Sequence, residues 1–440
     1  MKKILRRAAA VLTVFLCLFL AGCQIVSEPE KLLSPPSLSG DMRPISEALR
    51  KGVKGNYTLV YPSSGDMRSP IVLRDIDSDG TLEAFAFYST VNGGETVLHI
   101  KLIRKTDGKW KAAAECTVPA GGVEKIEFCD LDADGNTEIL VGWEIYGSSE
   151  KKVGVYSVRE NTMTERVLQQ YTAFLCCDID LNGKYELFLQ YLDAAAATNT
   201  ASLYSFTENG INKTAGCAMD GTVKSVGEPV YSTLSSGAHA IFIDEEKGGG
   251  MITEVLFLEN GELKNPLLDP LKKENTSTLR STGISAADIN GDGIIELPVA
   301  TEAPAADSAG DRIYYTNWCD FDGEILTVKQ ISLTNTADGY RLDIPARLVN
   351  NIAVLKDIEN HSRTFFAYDK ETATVGKKLF TVTAYTADGF KKAHEKNPQI
   401  QKITSEENAV FAAEIFSYEV KNGIRIEFDD LKEMFKTTSD

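Results

Sequence analysis

The chain has 440 residues, 43% of them hydrophobic and 25% charged. Those values exclude wholesale disorder and allow either two or three compact units or one large repetitive one. Its 46 basic residues against 63 acidic ones give a net charge of −17, which excludes a nucleic-acid binder with a basic footprint.

Lys2, Lys3, Arg6 and Arg7 precede an apolar run from Ala8 to Leu20, shorter than a bilayer-spanning helix, so residues 1–22 read as a secretory signal. It ends in Leu20-Ala21-Gly22-Cys23, which resembles the lipobox of bacterial lipoproteins. That resemblance implies cleavage before Cys23, a lipid on Cys23, and residence on the extracytoplasmic face of a bacterial membrane. Residues 23–43 contain Ser-Pro-Pro-Ser and little periodicity and read as a flexible tether; residues 44–440 form the folded body. Removing residues 1–22 takes away four basic and no acidic residues and leaves a charge of −21. Anionic headgroups repel such a body, so acyl chains must hold it at the surface. Cys116, Cys129, Cys176, Cys177, Cys217 and Cys319 show neither metal-site spacing nor a disulfide framework and are expected as small buried thiols.

Internal similarity organises the body. Four segments align without gaps on the pattern D-x-[DN]-x-[DN]-G-x-x-E: residues 75–83, 130–138, 178–186 and 288–296. Apolar stretches flank each one, such as Ile126–Phe128 before and Ile139–Val141 after the second, so each motif joins strand to strand. Weaker copies run through Ile241–Asp244 with Thr253–Phe257, and through Ala353–Glu359 with Thr364–Ala367. Ala409–Ala413 begins a seventh. Asp107-Gly108, Glu160-Asn161, Asn209-Gly210, Asn260-Gly261, Asp322-Gly323 and Asp388-Gly389 mark the tip of a second hairpin in each copy. Four strands per repeat predict an all-β chain, a β-propeller of four-stranded blades, with seven blades favoured and six the runner-up. Tyr57–Tyr61 is expected to complete the last blade and close the ring.

The acidic loops resemble those of FG-GAP/VCBS-type repeat propellers, the family of the integrin alpha-subunit head, over roughly residues 57–428. The family's Phe-Gly and Gly-Ala-Pro signatures are not visible here.

Three short carboxylates or amides at alternate positions turn their oxygens to one side of a tight loop, and the following glycine takes a conformation a side chain resists. Hard oxygen donors in that number suit calcium. The expected ligands of the four loops, about four Ca²⁺ sites, are Asp75, Asp77, Asp79, Thr81 and Glu83; Asp130, Asp132, Asp134, Asn136 and Glu138; Asp178, Asp180, Asn182, Lys184 and Glu186; and Asp288, Asn290, Asp292, Ile294 and Glu296. Thr81, Asn136, Lys184 and Ile294 would contribute only a backbone carbonyl. An EF-hand takes its last ligand at position 12, where these loops have Ala86, Val141, Leu189 and Val299, so calcium is expected between β-strands.

His99, His239, His361 and His394 are scattered, and no G-x-S-x-G elbow, P-loop or G-x-G-x-x-G is present. Gly248–Gly250 reads as a turn, and Trp110, Trp143 and Trp318 as blade packing. The expectation is a monomeric, non-enzymatic calcium-binding scaffold offering loop faces, Asp193–Ser202 and Ala303–Arg312 first, to a protein or glycan. The alternatives are an extracellular carbohydrate-active enzyme or its accessory module, and a structural component of an envelope complex. Converging carboxylates and exposed aromatics in a central channel would favour the carbohydrate reading.

Overall fold

The computed structural model describes residues 42–207, 210–307, 312–421 and 424–437. The signal, Cys23, nearly all of the tether and Asn209 lie outside the described residues. No helix among the described residues is long and apolar enough to cross a membrane.

Helix α1 (Arg43–Gly52) opens the body, with a proline in its first turn and Arg50 and Lys51 in its last, where they suit the helix dipole. Sheet 1 follows: β1 (Thr58–Leu59), β2 (Ile71–Arg74), β3 (Glu83–Asn92), β4 (Glu95–Thr106) and β5 (Lys109–Val118). Sheet 2 holds β6 (Gly122–Cys129), β7 (Glu138–Glu144), β8 (Lys151–Arg159) and β9 (Thr162–Tyr171). Sheet 3 holds β10 (Ala173–Cys177), β11 (Glu186–Asp193), β12 (Thr198–Thr207) and β13 (Gly210–Ala218). Sheet 4 is built from β14 (Ser225–Val226), β15 (Val230–Thr233), β16 (His239–Lys247), β17 (Gly250–Glu259), β18 (Glu262–Lys264) and β19 (Arg280–Ser281). Sheet 5 runs β20 (Leu297–Ala303), β21 (Ile313–Phe321), β22 (Leu326–Asn335), β23 (Tyr340–Asp343). Sheet 6 contains β24 (Ile352–Asp357), β25 (Ser362–Asp369) and β26 (Thr374–Tyr385), then, after helix α2 (Ala387–Lys396), β27 (Ile400–Ser405) and β28 (Val410–Ile415). A small ribbon, β29 (Glu419–Lys421) with β30 (Ile424–Arg425), leads to α3 (Phe428–Met434), and β31 (Phe435–Thr437) returns to pair with β23.

The chain is thus all-β, with antiparallel sheets following one another in sequence. Inner strands are buried on both faces, which is why they read as continuous apolar runs. Ile139 and Val141 of β7 pack with Phe85 and Phe87 of sheet 1, whereas Leu140 between them packs with Phe174 and Leu187 of sheet 3. The alternation repeats at the next seam, where Phe188 turns away from Leu187 and Leu189 to meet Ile241 and Ile243 of sheet 4. Each such fully buried side chain contributes about 1.5–3 kcal/mol. Trp143 and Trp318 are buried as expected, and the six body cysteines are free thiols, three of them buried.

Five expectations are corrected. Residues 409–413 do not found a seventh unit, because β28 pairs with β26 inside sheet 6. Nor does Tyr57–Tyr61 close a ring with the C-terminus: β1 pairs with β3, and Ile45, Ala48 and Leu49 of α1 cover the outer face of sheet 1 at Ala84, Ala86 and Tyr88. Among the described residues no buried apolar cluster joins sheet 1 to sheet 6. Asp388-Gly389 is not a hairpin tip but the first turn of α2, because the Thr386 side chain caps the helix by accepting the Gly389 amide. Gly248–Gly250 joins β16 to β17, the second and third strands of sheet 4, so that copy was read one strand out of step. The Asp193–Ser202 segment is also no insert: β11 and β12 pair from Asp193↔Thr198 onward, leaving only a tight turn. The tips Asp107-Gly108 and Asn260-Gly261 do lie in the left-handed region, with φ of 52° and 71°, and 53° and 79°.

Candidate metal loops and the pocket between them

All four acidic motifs occupy the same structural place. The residue before the first Asp pairs with the closing Glu as Arg74↔Glu83, Cys129↔Glu138, Cys177↔Glu186 and Ala287↔Glu296. Three hydrogen bonds then recur. The sixth-position glycine donates its amide to the first Asp: Gly80 to Asp75 at 3.0 Å, Gly135 to Asp130 at 3.0 Å, Gly183 to Asp178 at 2.9 Å and Gly293 to Asp288 at 2.8 Å. The fifth-position side chain accepts the seventh amide, from Thr81 at 2.6 Å, Asn136 at 2.8 Å, Lys184 at 2.8 Å and Ile294 at 2.9 Å. The closing glutamate accepts the amide of the second residue, Ile76, Leu131, Ile179 or Ile289, at 3.3, 3.0, 3.2 and 2.9 Å. Every loop therefore folds on its own backbone donors, and some of its carboxylate oxygens receive none of them.

Those oxygens converge. One from each of Asp75, Asp77 and Glu83 lie within 4.8 Å of one another, and so do those of Asp130, Asp132 and Glu138, of Asp178, Asp180 and Glu186, and of Asp288, Asp292 and Glu296. The first three loops gather positions one, three and nine, and the fourth gathers one, five and nine. Asp79 and Asp134 lie outside these triads, and Asn182 and Asn290 brace them instead: Asn182 Nδ2 donates to Asp180 at 2.9 Å and Asn290 Nδ2 to Asp292 at 3.0 Å. Thr81, Asn136, Lys184 and Ile294 are held through their amides, which fixes the peptide just before the one that carries each residue's own carbonyl.

The donor set fits a hard cation. Asp75 Oδ1, Asp77 Oδ1 and Asp132 Oδ1 are buried with no hydrogen-bond donor, the condition a bound cation relieves. Burial pushes the Glu138 and Glu186 carboxyls up to about 7, and raises Glu83 and Glu296 as well. When bound, a divalent ion would supply fixed positive charge at these corners.

Sequence reasoning missed two features. Position four is left-handed in every loop, with φ of 56° at Ser78, 57° at Ala133, 59° at Leu181 and 79° at Gly291. No residue type marks it, because the requirement lies in the backbone. Arginines also reach the first two loops from later strands. Arg104 lies 3.0 Å from Asp77 and 3.7 Å from Glu83; Arg159 contacts Asp134 and lies 3.7 Å from Asp132; Arg166 lies 3.4 Å from Asp132.

The second and third loops, with Arg74 beside the first, border a pocket of about 560 Å³. Arg74, Asp130, Thr137 and Tyr185, each belonging to or touching one of these loops, line it together with Lys125 and Glu127 of β6. Lys125 Nζ donates to Phe174 O at 2.8 Å and to Glu228 at 3.2 Å, and lies 2.9 Å from Glu127. Burial opposes the ammonium charge, but Glu127 and Glu228 outweigh it and hold the Lys125 pKa above its ordinary value. Burial raises Glu127 above the usual carboxylate range in spite of Lys125. Tyr185 is exposed at the rim.

No protein-family model and no curated protein matches the chain. Among solved structures it is similar to the exotype rhamnogalacturonan lyase YesX, at 11% identity over 73% of this chain and 83% of that one, with a TM-score of 0.30. A similar likeness links it to the Pseudomonas aeruginosa periplasmic gluconolactonase PpgL, at 14% identity over 72% and 86%, TM-score 0.29. A third is the Bacillus licheniformis rhamnogalacturonan lyase PL11, at 11% identity over 73% and 83%, TM-score 0.30. These neighbours are propeller-like, and this chain is all-β. All three are named as enzymes, against the expectation of a chain outside the enzymes. At such scores the likeness assigns no reaction.

Proposed function

We propose that this chain is a calcium-loaded, propeller-like protein, tethered by lipid on Cys23 to the outer face of a bacterial membrane, that acts on carbohydrate in the pocket bordered by its second and third loops. One observation carries the reading: Lys125, Glu127 and Glu228 converge in a pocket whose walls are shared with the acidic loops. Charged groups lining a cleft, beside an exposed tyrosine, suit a polyhydroxylated ligand. Glu127, with its raised pKa, is the group placed to give or take a proton, and Lys125 holds it in position. Asp75, Asp77 and Glu83, Asp130, Asp132 and Glu138, Asp178, Asp180 and Glu186, and Asp288, Asp292 and Glu296 would hold the calcium. Those ions stiffen the loops that form the pocket wall.

The test uses the full chain loaded with calcium, presented with neutral and uronate-containing oligosaccharides, with binding read by calorimetry and products by mass spectrometry. Binding or turnover that falls at least tenfold in Glu127→Gln and Lys125→Met is the expected result. Neither binding nor product from any oligosaccharide sinks the carbohydrate reading.

A further inference from the structure

The seam between sheets 3 and 4 is apolar along most of its length but contains a buried polar island. Ile243 pairs with Glu254, so Glu245, two residues on, is the diagonal neighbour of Glu254 on the same face of sheet 4. Leu192 pairs with Asn199, which makes Gln190 and Asn199 the matching diagonal on sheet 3. The two pairs meet: Asn199 Nδ2 donates to Glu245 Oε1 at 3.0 Å, and the Gln190 amide nitrogen donates to the same oxygen. Glu254 Oε1 accepts the Asp220 amide at 2.8 Å. That leaves Glu245 Oε2, Glu254 Oε2 and Gln190 Oε1, all buried and all without a donor.

Glu245, Glu254 and Gln190 are each 0% exposed. The neighbouring cations are committed elsewhere, Lys247 to Asp220 and Glu274, Arg280 to Asp244. Among the described residues no basic side chain pairs with either glutamate. Two uncompensated carboxylates in a buried seam are strongly unfavourable, and the buried oxygen of the Gln190 amide that binds Glu245 also lacks a donor, which adds to the unmet demand for positive charge. Sheet 4 is also the sheet whose corner between β15 and β16, Leu234–Ala238, contains no acid.

We propose that one divalent cation of the hard, oxygen-preferring class sits in this island, held by Glu245, Glu254 and Gln190. Two carboxylates balance its charge, and the amide oxygen adds a neutral ligand of the type calcium accepts. The ion joins sheet 3 to sheet 4 inside their seam, where the loop ions lie at strand corners. The site uses none of the loop residues, so it stands or falls independently of them and of the pocket.

The decisive experiment is an anomalous difference map from crystals of the full chain grown with Mn²⁺ in place of Ca²⁺. A peak in contact with Glu245 and Glu254 is expected, in addition to any at the loops. In parallel, metal content after desalting should fall by one ion per chain in Glu245→Gln and in Glu254→Gln, and by a different ion in Asp292→Asn. Peaks confined to the loops, or wild-type metal content in both glutamine variants, overturn the proposal. So does a Glu245→Gln protein that is more heat-stable than wild type in calcium, the behaviour of a protonated pair.

Discussion

The first two acidic loops and the last two share a backbone and a sequence pattern but differ in what neutralises them. Arg104 lies against the first loop, and Arg159 and Arg166 against the second. No basic side chain bridges Asp178, Asp180, Glu186, Asp288, Asp292 or Glu296 among the described residues; Lys329, near the fourth loop, pairs at 2.8 Å with Asp320. A guanidinium occupies part of the field that a divalent ion would otherwise supply. The comparison teaches that a repeated ligand motif need not carry a repeated energetic role. In the first half the loops carry a countercharge of their own, and in the second half no described basic side chain supplies one.

Calcium removal gives the largest expected effect. An ion held at a hundred times its Kd stabilises the fold by about 2.7 kcal/mol per site. Chelation should therefore lower the melting temperature markedly, and hydrogen exchange should show where. Amides of β10, β11 and β20 are expected to open before those of β2, β3, β6 and β7. Uniform opening across all four corners would erase the distinction between the halves.

Single carboxylate substitutions in chelator should differ in sign. Asp132→Asn removes the shared partner of Arg159 and Arg166, at a site where the Asp132 side chain is 2% exposed. It should cost up to about 1 kcal/mol without calcium, because it removes the carboxylate charge that two partly exposed guanidiniums share. Asp180→Asn removes a like charge from a cluster with no cation and should be neutral or stabilising by less than about 1 kcal/mol. Denaturant unfolding in EGTA reads both, and equal destabilisation would break the comparison.

Acidity supplies a further lever. Glu186 is pushed up to about 7 from 4.5 by burial. The folded, ion-free protein binds that proton more tightly than the unfolded chain, so the stability it contributes is complete below about pH 4.5 and is lost as pH rises through 7. In chelator, unfolding free energy should fall by about 1–3 kcal/mol between pH 5 and pH 8. With calcium present the ion takes the place of the proton, and the slope over the same interval should vanish or reverse.

The sequence was legible wherever side-chain chemistry and spacing determine the outcome. The four loops, their flanking strands and the tips at Asp107-Gly108 and Asn260-Gly261 announce themselves by residue type. What it hid was set by partners distant in the chain. Arg166 lies on β9, 34 residues beyond Asp132. Lys125 gains its role only when sheet 4 brings Glu228 to it across 103 residues. Helix α1 was folded into the expectation of a closed ring, because nothing local says that Ile45 and Leu49 will take the face another sheet would otherwise cover. The Asp388-Gly389 tip failed because Thr386, two residues earlier, is as good a helix cap as Asp-Gly is a turn.

The smallest predicted effect rests on the backbone that all four loops share. Leu181 holds φ at 59° while its side chain is 61% exposed, so it gains little from burial to offset a left-handed conformation. That conformation costs a non-glycine residue about 1–2 kcal/mol, whereas glycine adopts it freely and loses about 0.4–1 kcal/mol through a more disordered unfolded chain. Leu181→Gly should therefore stabilise the protein by up to about 1 kcal/mol, and Gly291→Ala in the fourth loop should destabilise it by a similar amount. The strain belongs to the loop fold and not to the ion, so both effects should persist in calcium and in chelator alike. A Leu181→Gly effect that appears only with calcium bound would mean that the ion, not the backbone, imposes the left-handed turn.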